Sequence, residues 1–449
     1  MIRPAGAATP NGDAAPKRRG NVLFVAEAVT LAHAVRPAVL ARAVAGHGWT
    51  PVMAIDDRFD AVCPSAEWRT ERIVSMTTAH FLARLARGAP IHDRRGFAAA
   101  VDEDLALLER IRPSAVVGDF RLSLSISARL AGVPYLNITN AYWSPHARPR
   151  WHVPALPWTR FLPGRVGDLI FRAARPIAFH RHARAMEAVR RERGLHGLGH
   201  DLLRHYTDAD VTLYADAPEL VPLFDAPVSH RHLGPVAWSP SMAAPAWWSG
   251  VDRREGVIYV TLGSSGSAAR LPAVIAGLAG LGLPVVVATA GAPLPASMPP
   301  HGHLAPYLPG EAMAAESRLV VCNGGSPTSQ QALLAGVPVL ALPSNLDQVL
   351  NSTYLAAAGV GAWLRPERAS AGAIEGLART LLRNSQIQQR CAALAPKLAA
   401  HRPGDVLADA LDAVTTVRAR DQPPREPDKR PHNEAGRPQR AMARPIIDA

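Results

Sequence analysis

The run from Val320 to Gln348, VVCNGGSPTSQQALLAGVPVLALPSNLDQ, holds the residue types needed to grip an anion and read hydroxyl groups. Gly324 and Gly325 let backbone N–H groups approach an anion closely, and a helix opening at Ser326 aims its positive end at the same point. Thr328 and Ser329 add hydroxyls at that helix start, where one of them would equally serve as an N-cap. Gln331, a turn further on, suits either a ribose hydroxyl or an ordinary helix surface. Past the next strand, Asp347 and Gln348 offer a carboxylate acceptor and an amide, a pair suited to hydroxyl groups. LGSSGS, residues 262–267, is a second small-residue turn in which Gly263 and Ser264 present N–H and O–H donors. Alone, that turn reads most simply as a strand-to-helix connection. Two such turns at one sheet edge would hold a diphosphate from both sides, the chemistry of a sugar nucleotide. Asn323 stands where a cation-capable residue would be expected.

These groups need a sheet to present them, and the sequence supplies two. Short apolar runs alternate with helical spacing from Asn21 onward: VLFVA (22–26), PVMAI (51–55), AVVGD (115–119), PYLNIT (134–139) and DVTLYA (210–215) read as strands, with helices over 35–45, 77–87, 97–111 and 123–131. In the first of these helices the spacing turns Arg36 and Arg42 outward. The rhythm restarts at VIYVTLG (257–263) and runs through PVVVAT (284–289), RLVVC (318–322) and PVLAL (338–342). The fold class is α/β, two Rossmann-like doubly wound domains facing a cleft. The expected divisions are a disordered leader over 1–20, an acceptor-binding domain over 21–235 and a Pro/Trp/Ser-rich linker over 236–256. A nucleotide-sugar-binding domain over 257–400, a closing helix over 401–416 and a disordered tail over 417–449 complete the chain.

Composition narrows the function classes. The chain has 449 residues and a formal charge of +12, a value that suggests a nucleic-acid partner. Its distribution argues otherwise: four basic residues against Asp13 in 1–20, and eight against five acidic ones in 417–449, place half of that charge in the termini. Lysine occurs only at 17, 397 and 429, so the positive charge is almost all arginine, as a GC-rich genome produces. Cys63, Cys322 and Cys391 are far apart and have no ligand or disulfide spacing, and residues 1–20 have no apolar signal region. These features lead to the expectation of a cytoplasmic protein with no catalytic metal.

His33 lies at the junction of the first strand and its helix, and Asp119 ends a later strand at the same sheet edge. A structural histidine and a helix N-cap are their simpler roles. The second half, however, resembles the donor domain of family 1 glycosyltransferases of GT-B fold, the UDP-glycosyltransferase-like natural-product type. The resemblance rests on YVTLGSS, APYLPGEAM (305–313) and the ungapped run 323–348 with its Gly-Val-Pro and its terminal Asp-Gln. It implies that Gly325 and Thr328, within the NGGSPTS turn that includes Ser326, hold a UDP or dTDP diphosphate. Gln331 would face the ribose, Asp347 and Gln348 the sugar, Tyr307 the base, and the backbone of Leu308 the base edge. The family's first loop places a histidine shortly before a proline, here Pro37, and implies that His33 is a general base oriented by Asp119. The reaction implied is a metal-independent inverting transfer of a hexose to an acceptor hydroxyl. No Asp-x-Asp stands on a plausible metal loop, and no cofactor is expected besides the nucleotide-sugar co-substrate. Three positions depart from the family: Asn323 replaces histidine, Gln331 replaces glutamate, and Pro327 sits at a usual Gly or Asn.

Between the two halves, Trp143, Trp151, Trp158, Phe161, Phe171 and Phe179 have the character of an apolar acceptor pocket. The stretch 167–194 is basic and amphipathic, which suits either a solvated face over the pocket or peripheral contact with an anionic membrane. The expected partners are a nucleotide-sugar donor and a small hydrophobic acceptor from natural-product chemistry, or a lipid acceptor, with the protein a monomer or homodimer. A non-catalytic helper that has lost its donor chemistry is the alternative that the three departures motivate.

Overall fold

The computed structural model describes residues 19–60, 67–240, 242–263, 265–266, 268–291 and 298–421. Ser264, Cys63, the predicted leader up to Arg18 and the tail from Gln422 lie outside the described residues.

Seven parallel strands form the first sheet: β1 (Gly20–Ala26), β2 (Trp49–Ile55), β3 (Arg69–Arg72), β4 (Ala115–Asp119), β5 (Tyr135–Thr139), β6 (Val211–Tyr214) and β7 (His230–His232). Their order is β3-β2-β1-β4-β5-β6-β7. The second sheet contains β8 (Val257–Thr261), β9 (Val285–Ala288), β10 (Gly302–Ala305), β11 (Ser317–Cys322), β12 (Val339–Ala341) and β13 (Gly361–Trp363), ordered β10-β9-β8-β11-β12-β13. Helices cover both faces, so central strands such as Val22–Ala26 and Val257–Val260 are buried throughout and read as continuous apolar runs. The order of connection reverses between β1 and β4 in one sheet and between β8 and β11 in the other. Those reversals open crevices at the carboxyl ends of the strands, where such sheets bind ligands.

The last helix, Pro403–Asp421, continues five residues past its expected end at 416. Leu407, Ala410 and Leu411 are buried among Val22, Phe24 and Leu40, so the end of the chain completes the core of the first domain. The segment after β5 leans the other way. Ala155 N–H donates to the Ser344 carbonyl at 3.0 Å, and Arg365 binds the Val153 carbonyl at 2.9 Å and pairs with Asp168. The two domains therefore meet through polar contacts beside the cleft and through a buried apolar cluster that includes Tyr142 and Leu220 of the first and Leu308 and Leu333 of the second.

Candidate functional site

Ala26, the last residue of β1, is in register with Asp119, the last of β4, so the chain leaves both strands side by side at the reversal point. From β1 it turns into the helix Leu31–Ala45, whose first turn carries His33. His33 Nδ1 lies 2.7 Å from Asp119 Oδ1. Arg36 Nη2 also lies 2.9 Å from Nδ1. Asp119 accepts only, so the shorter contact requires the hydrogen on Nδ1 and leaves Nε2 as the basic nitrogen. Asp119 is fully buried, whereas the His33 side chain keeps 19 % exposure. Pro37 has no N–H for the His33 carbonyl four residues before it, which leaves this first turn without one of its helical bonds. The helix Leu124–Leu130 starts at Ser123, and Asp119 does not cap it.

Two neighbours hold the pair. Phe120 stacks on the His33 ring with centroids 4.8 Å apart. Its φ of +58° is left-handed, an uncommon conformation for a bulky residue. The backbone on either side is clamped: Glu27 N–H donates to the Asp119 carbonyl at 3.1 Å, and buried Arg121 binds Glu27 at 2.7 Å and Asp104 at 2.9 Å. The second neighbour, Arg36, corrects the sequence reading. Helical spacing turned it outward with Arg42, but only Arg42 is exposed; Arg36 is 3 % exposed and faces Asp119. Its Nη2 donates to Asp119 Oδ1 at 2.9 Å, while Nε sits 2.8 Å from Oδ2 without hydrogen-bond alignment. Burial alone would lower the Arg36 pKa, yet the adjacent Asp119 charge and hydrogen bond leave it raised.

A polar chain leads from this pair to the other domain. Arg36 Nη1 donates to Asn140 Oδ1 at 3.0 Å, and Asn140 Nδ2 donates to both oxygens of Asp216 and to Ser326 Oγ, each at 3.1 Å. Asp216 also accepts from Ala141 N–H at 2.6 Å and from Gln330 Nε2 at 3.2 Å. Burial pushes the Asp216 carboxyl up to about 6. Asn140 and Asp216 were not singled out from the sequence, and Arg36 was read there only as an outward-facing helix residue. Asn140 and Asp216 share a readable signal, since each lies just past the carboxyl end of a parallel strand.

Across the cleft, the turns after β8 and β11 meet at the second reversal point, where Cys322 is in register with Thr261. Gly263 has φ +63°, and a Cβ there would lie 3.3 Å from Asn323 Nδ2. Asn323 is occupied within the turns: Nδ2 donates to Ser265 Oγ at 3.2 Å, and Oδ1 accepts from Gly325 N–H at 3.0 Å. The helix Ser326–Leu334 begins here with Gly325 as an N-cap that supplies no side chain, and half-buried Thr328 lies in its first turn. Ser326 Oγ is engaged by Asn140 rather than turned toward the cradle. Gln331, placed by resemblance at a ribose, donates its amide to the Trp238 carbonyl of the connecting segment. Gln348 is 2 % exposed and closes a capping box with Asn345, while its Nε2 reaches Ser265 Oγ at 3.1 Å. Asp347 Oδ1 accepts from Trp143 Nε1 of the first domain at 2.8 Å. Tyr307 is 51 % exposed and Leu308 is buried.

Aromatic rings extend from His33 along the first-domain wall. Phe120 meets Tyr206 at 5.8 Å, Tyr206 meets Trp143 at 5.1 Å, Trp143 meets Phe179 at 6.4 Å, and Phe179 meets Trp151 at 5.4 Å. Trp143, Trp151 and Phe179 thus share one wall, whereas Phe161 is 72 % exposed on the outer surface. Among the described residues no cluster of three or more metal-ligating side chains occurs.

No family model matches the chain. A PGL/p-HBAD biosynthesis glycosyltransferase of Mycobacterium tuberculosis (strain ATCC 25177 / H37Ra) is 45 % identical over 386 residues, 85 % of this chain and 90 % of the relative. A PGL/p-HBAD biosynthesis rhamnosyltransferase of Mycobacterium bovis (strain BCG / Pasteur 1173P2) is 43 % identical over 406 residues, 90 % of each chain. An inactive PGL/p-HBAD biosynthesis glycosyltransferase of the same strain is 45 % identical over 257 residues, 57 % of this chain and 70 % of that one. The spinosyn rhamnosyltransferase SpnG superposes with a TM-score of 0.63 at 21 % identity, over 88 % of this chain and 100 % of its own. SpnG has been solved with thymidine diphosphate and with spinosyn aglycone. The shared fold, the turns that converge at both reversal points and 43–45 % identity over most of two mycobacterial enzymes lead to one conclusion: the chain belongs to the family 1 glycosyltransferases of GT-B fold.

Proposed function

We propose that the protein is an inverting, metal-independent glycosyltransferase that moves a sugar from a UDP- or dTDP-linked donor to the hydroxyl of an aromatic, phenolic-lipid-like acceptor. The observation that carries this reading is the 2.7 Å contact between His33 and Asp119 at the carboxyl edge of the first sheet, facing the turns of the second. Nε2 of His33 takes the acceptor's hydroxyl proton as the oxygen bonds to the anomeric carbon. The bond from that carbon to the diphosphate breaks, and its electron pair leaves on the diphosphate. The N-terminus of the Ser326–Leu334 helix, with Thr328 in its first turn, receives the charge that develops there. Asp119 keeps Nδ1 protonated and Nε2 basic throughout.

The aromatic wall from Phe120 to Trp151 supports an aromatic acceptor, in keeping with relatives named for PGL/p-HBAD biosynthesis. The test incubates the full chain with UDP- and dTDP-linked hexoses and 6-deoxyhexoses and a panel of 4-alkylphenols, and measures nucleoside diphosphate release and glycoside formation. A donor that supports glycosylation of a phenol is the expected result. Absence of turnover together with no calorimetric binding of UDP or dTDP at millimolar concentration overturns it. That outcome would favour a second reading, a non-catalytic helper, motivated by the engagement of Asn323 and Gln331 within the protein and by the relative named inactive.

A further inference from the structure

The long helix Gly164–Glu192 has apolar side chains on two sides, and the protein covers one of them. Inward, Ala183, Met186 and Val189 are buried and Phe179 joins the aromatic wall. Outward, Val166 is 42 % exposed, Leu169 67 %, Ile170 44 % and Ile177 76 %. With about 100° between successive residues, these four fall in one stripe. Phe161 and Leu162, in the turn just before the helix, extend it. Six of the thirteen exposed large hydrophobic side chains among the described residues lie in this short segment, so they form a patch rather than a scatter.

The rim of the patch is basic. Arg160, Arg165, Arg172, Arg181 and Arg184 are all exposed. From 160 to 184 the only acidic residue is Asp168, which is 7 % exposed and already bound by His152 and Arg365. A two-fold contact between copies would oppose two such arginine-rich faces, which repel. An apolar stripe edged by arginines matches an anionic lipid surface: the hydrocarbon side chains enter the headgroup boundary and the guanidinium groups bind phosphates. Among the described residues no helix is long and apolar enough to cross a membrane, so the contact is one of lying on the surface.

We propose that the outer face of this helix, from Phe161 to Ile177 with its arginine rim, docks the protein on an anionic lipid bilayer. The docking stands independently of the transfer reading, because it is measured without turnover. The full chain is sedimented with vesicles of phosphatidylglycerol and phosphatidylcholine, and with phosphatidylcholine alone, across a salt series. The expected result is binding to the anionic vesicles that weakens as salt rises. The double variant Leu169→Ser/Ile177→Ser should lower the bound fraction roughly fivefold or more, and Arg165→Glu/Arg172→Glu should do likewise. Both variants should keep the wild-type Tm. The proposal is overturned if the wild-type chain stays in the supernatant with anionic vesicles, or if its binding is insensitive to both double variants. It is also overturned if light scattering shows a dimer that the Leu169→Ser/Ile177→Ser variant dissociates, which would make the patch a subunit interface.

Discussion

Arg36 Nη1 donates to Asn140 Oδ1 at 3.0 Å, and this contact joins the His33–Asp119 pair to the helix Ser326–Leu334 of the other domain. Asn140 passes the link to Ser326 Oγ and, through Asp216, to Gln330. A shift of the second domain is therefore felt at the guanidinium that neutralises Asp119. Arg36→Met would leave a fully buried carboxylate without its charge partner, a loss of roughly 3–5 kcal/mol. Chemical denaturation should show that loss, and turnover should fall with it. Arg36→Lys should recover only part, since a single ammonium cannot reproduce the fork that reaches both Asp119 and Asn140. A wild-type midpoint for Arg36→Met would contradict this account.

If His33 is the base, His33→Ala should lower kcat by roughly two to four powers of ten. Calorimetric affinity for the nucleoside diphosphate should not change, because His33 lies on the other side of the cleft from the turns after β8 and β11 that are proposed to hold it. Asp119→Asn keeps the size of the side chain and loses its charge and its claim on the Nδ1 hydrogen. Its kcat should fall by a comparable factor, and because buried Arg36 loses its counter-charge the denaturation midpoint should fall as well. Equal loss of affinity and kcat in either variant would point to a structural role.

His92 provides a test of pH dependence. It is half-buried, its Nε2 is closed off from solvent without a hydrogen-bond partner, and its ring meets Phe97 edge-on at 5.2 Å. Burial, with a contribution from Arg121, lowers its pKa from 6.5 to about 4. Between those values the unfolded chain binds a proton that the folded chain refuses, so stability falls as pH drops through this window. Asp104 and Asp216, raised by burial from 3.8 to about 6, act in the opposite sense and remove stability as pH rises through their window. His92→Phe should therefore raise Tm more at pH 5 than at pH 7.5. An equal shift at both values would mean that His92 titrates normally in the folded protein.

Gly324 and Gly282 separate backbone strain from crowding. Both are left-handed, at φ +79° and +77°. A Cβ on Gly324 would lie 2.3 Å from Ser352 Oγ, whereas one on Gly282 meets nothing within 4 Å. Gly282→Ala should cost about 1–2 kcal/mol. Gly324→Ala should cost more and should also weaken nucleoside diphosphate binding, because it displaces the turn that carries Gly325. Equal melting temperatures for the two variants would argue against the close packing at Gly324.

The sequence made the central strands and the glycine turn at 323–325 legible because buried parallel strands are continuous apolar runs and the turn sits directly between one of them and a helix. The four strands it did not reveal, RTER, HRH, GHLA and GAW, are the four sheet edges. RTER and HRH are polar, as edges that must not pair with other chains tend to be, and GHLA and GAW are only four and three residues long, so none shows the apolar run that marks the interior. Arg36 was misread for a related reason: helical spacing assigns a charged residue to the outside, and only the fold shows that a buried Asp119 lies opposite. His33 and Asp119 were legible as strand-end residues, whereas their link through Asn140 depends on how the two domains meet.

Leu407, Ala410 and Leu411 belong to the core built around Val22 and Phe24, although the whole second sheet lies between them in the chain. During synthesis the first domain thus waits, with part of its hydrophobic interior open, until nearly four hundred further residues have left the ribosome. The strands of the second sheet, by contrast, follow one another in one uninterrupted stretch from Val257 to Trp363. The last helix is thus part of the first domain's interior rather than an appendage, and a chain cut before Pro403 would leave Val22 and Phe24 with an open face.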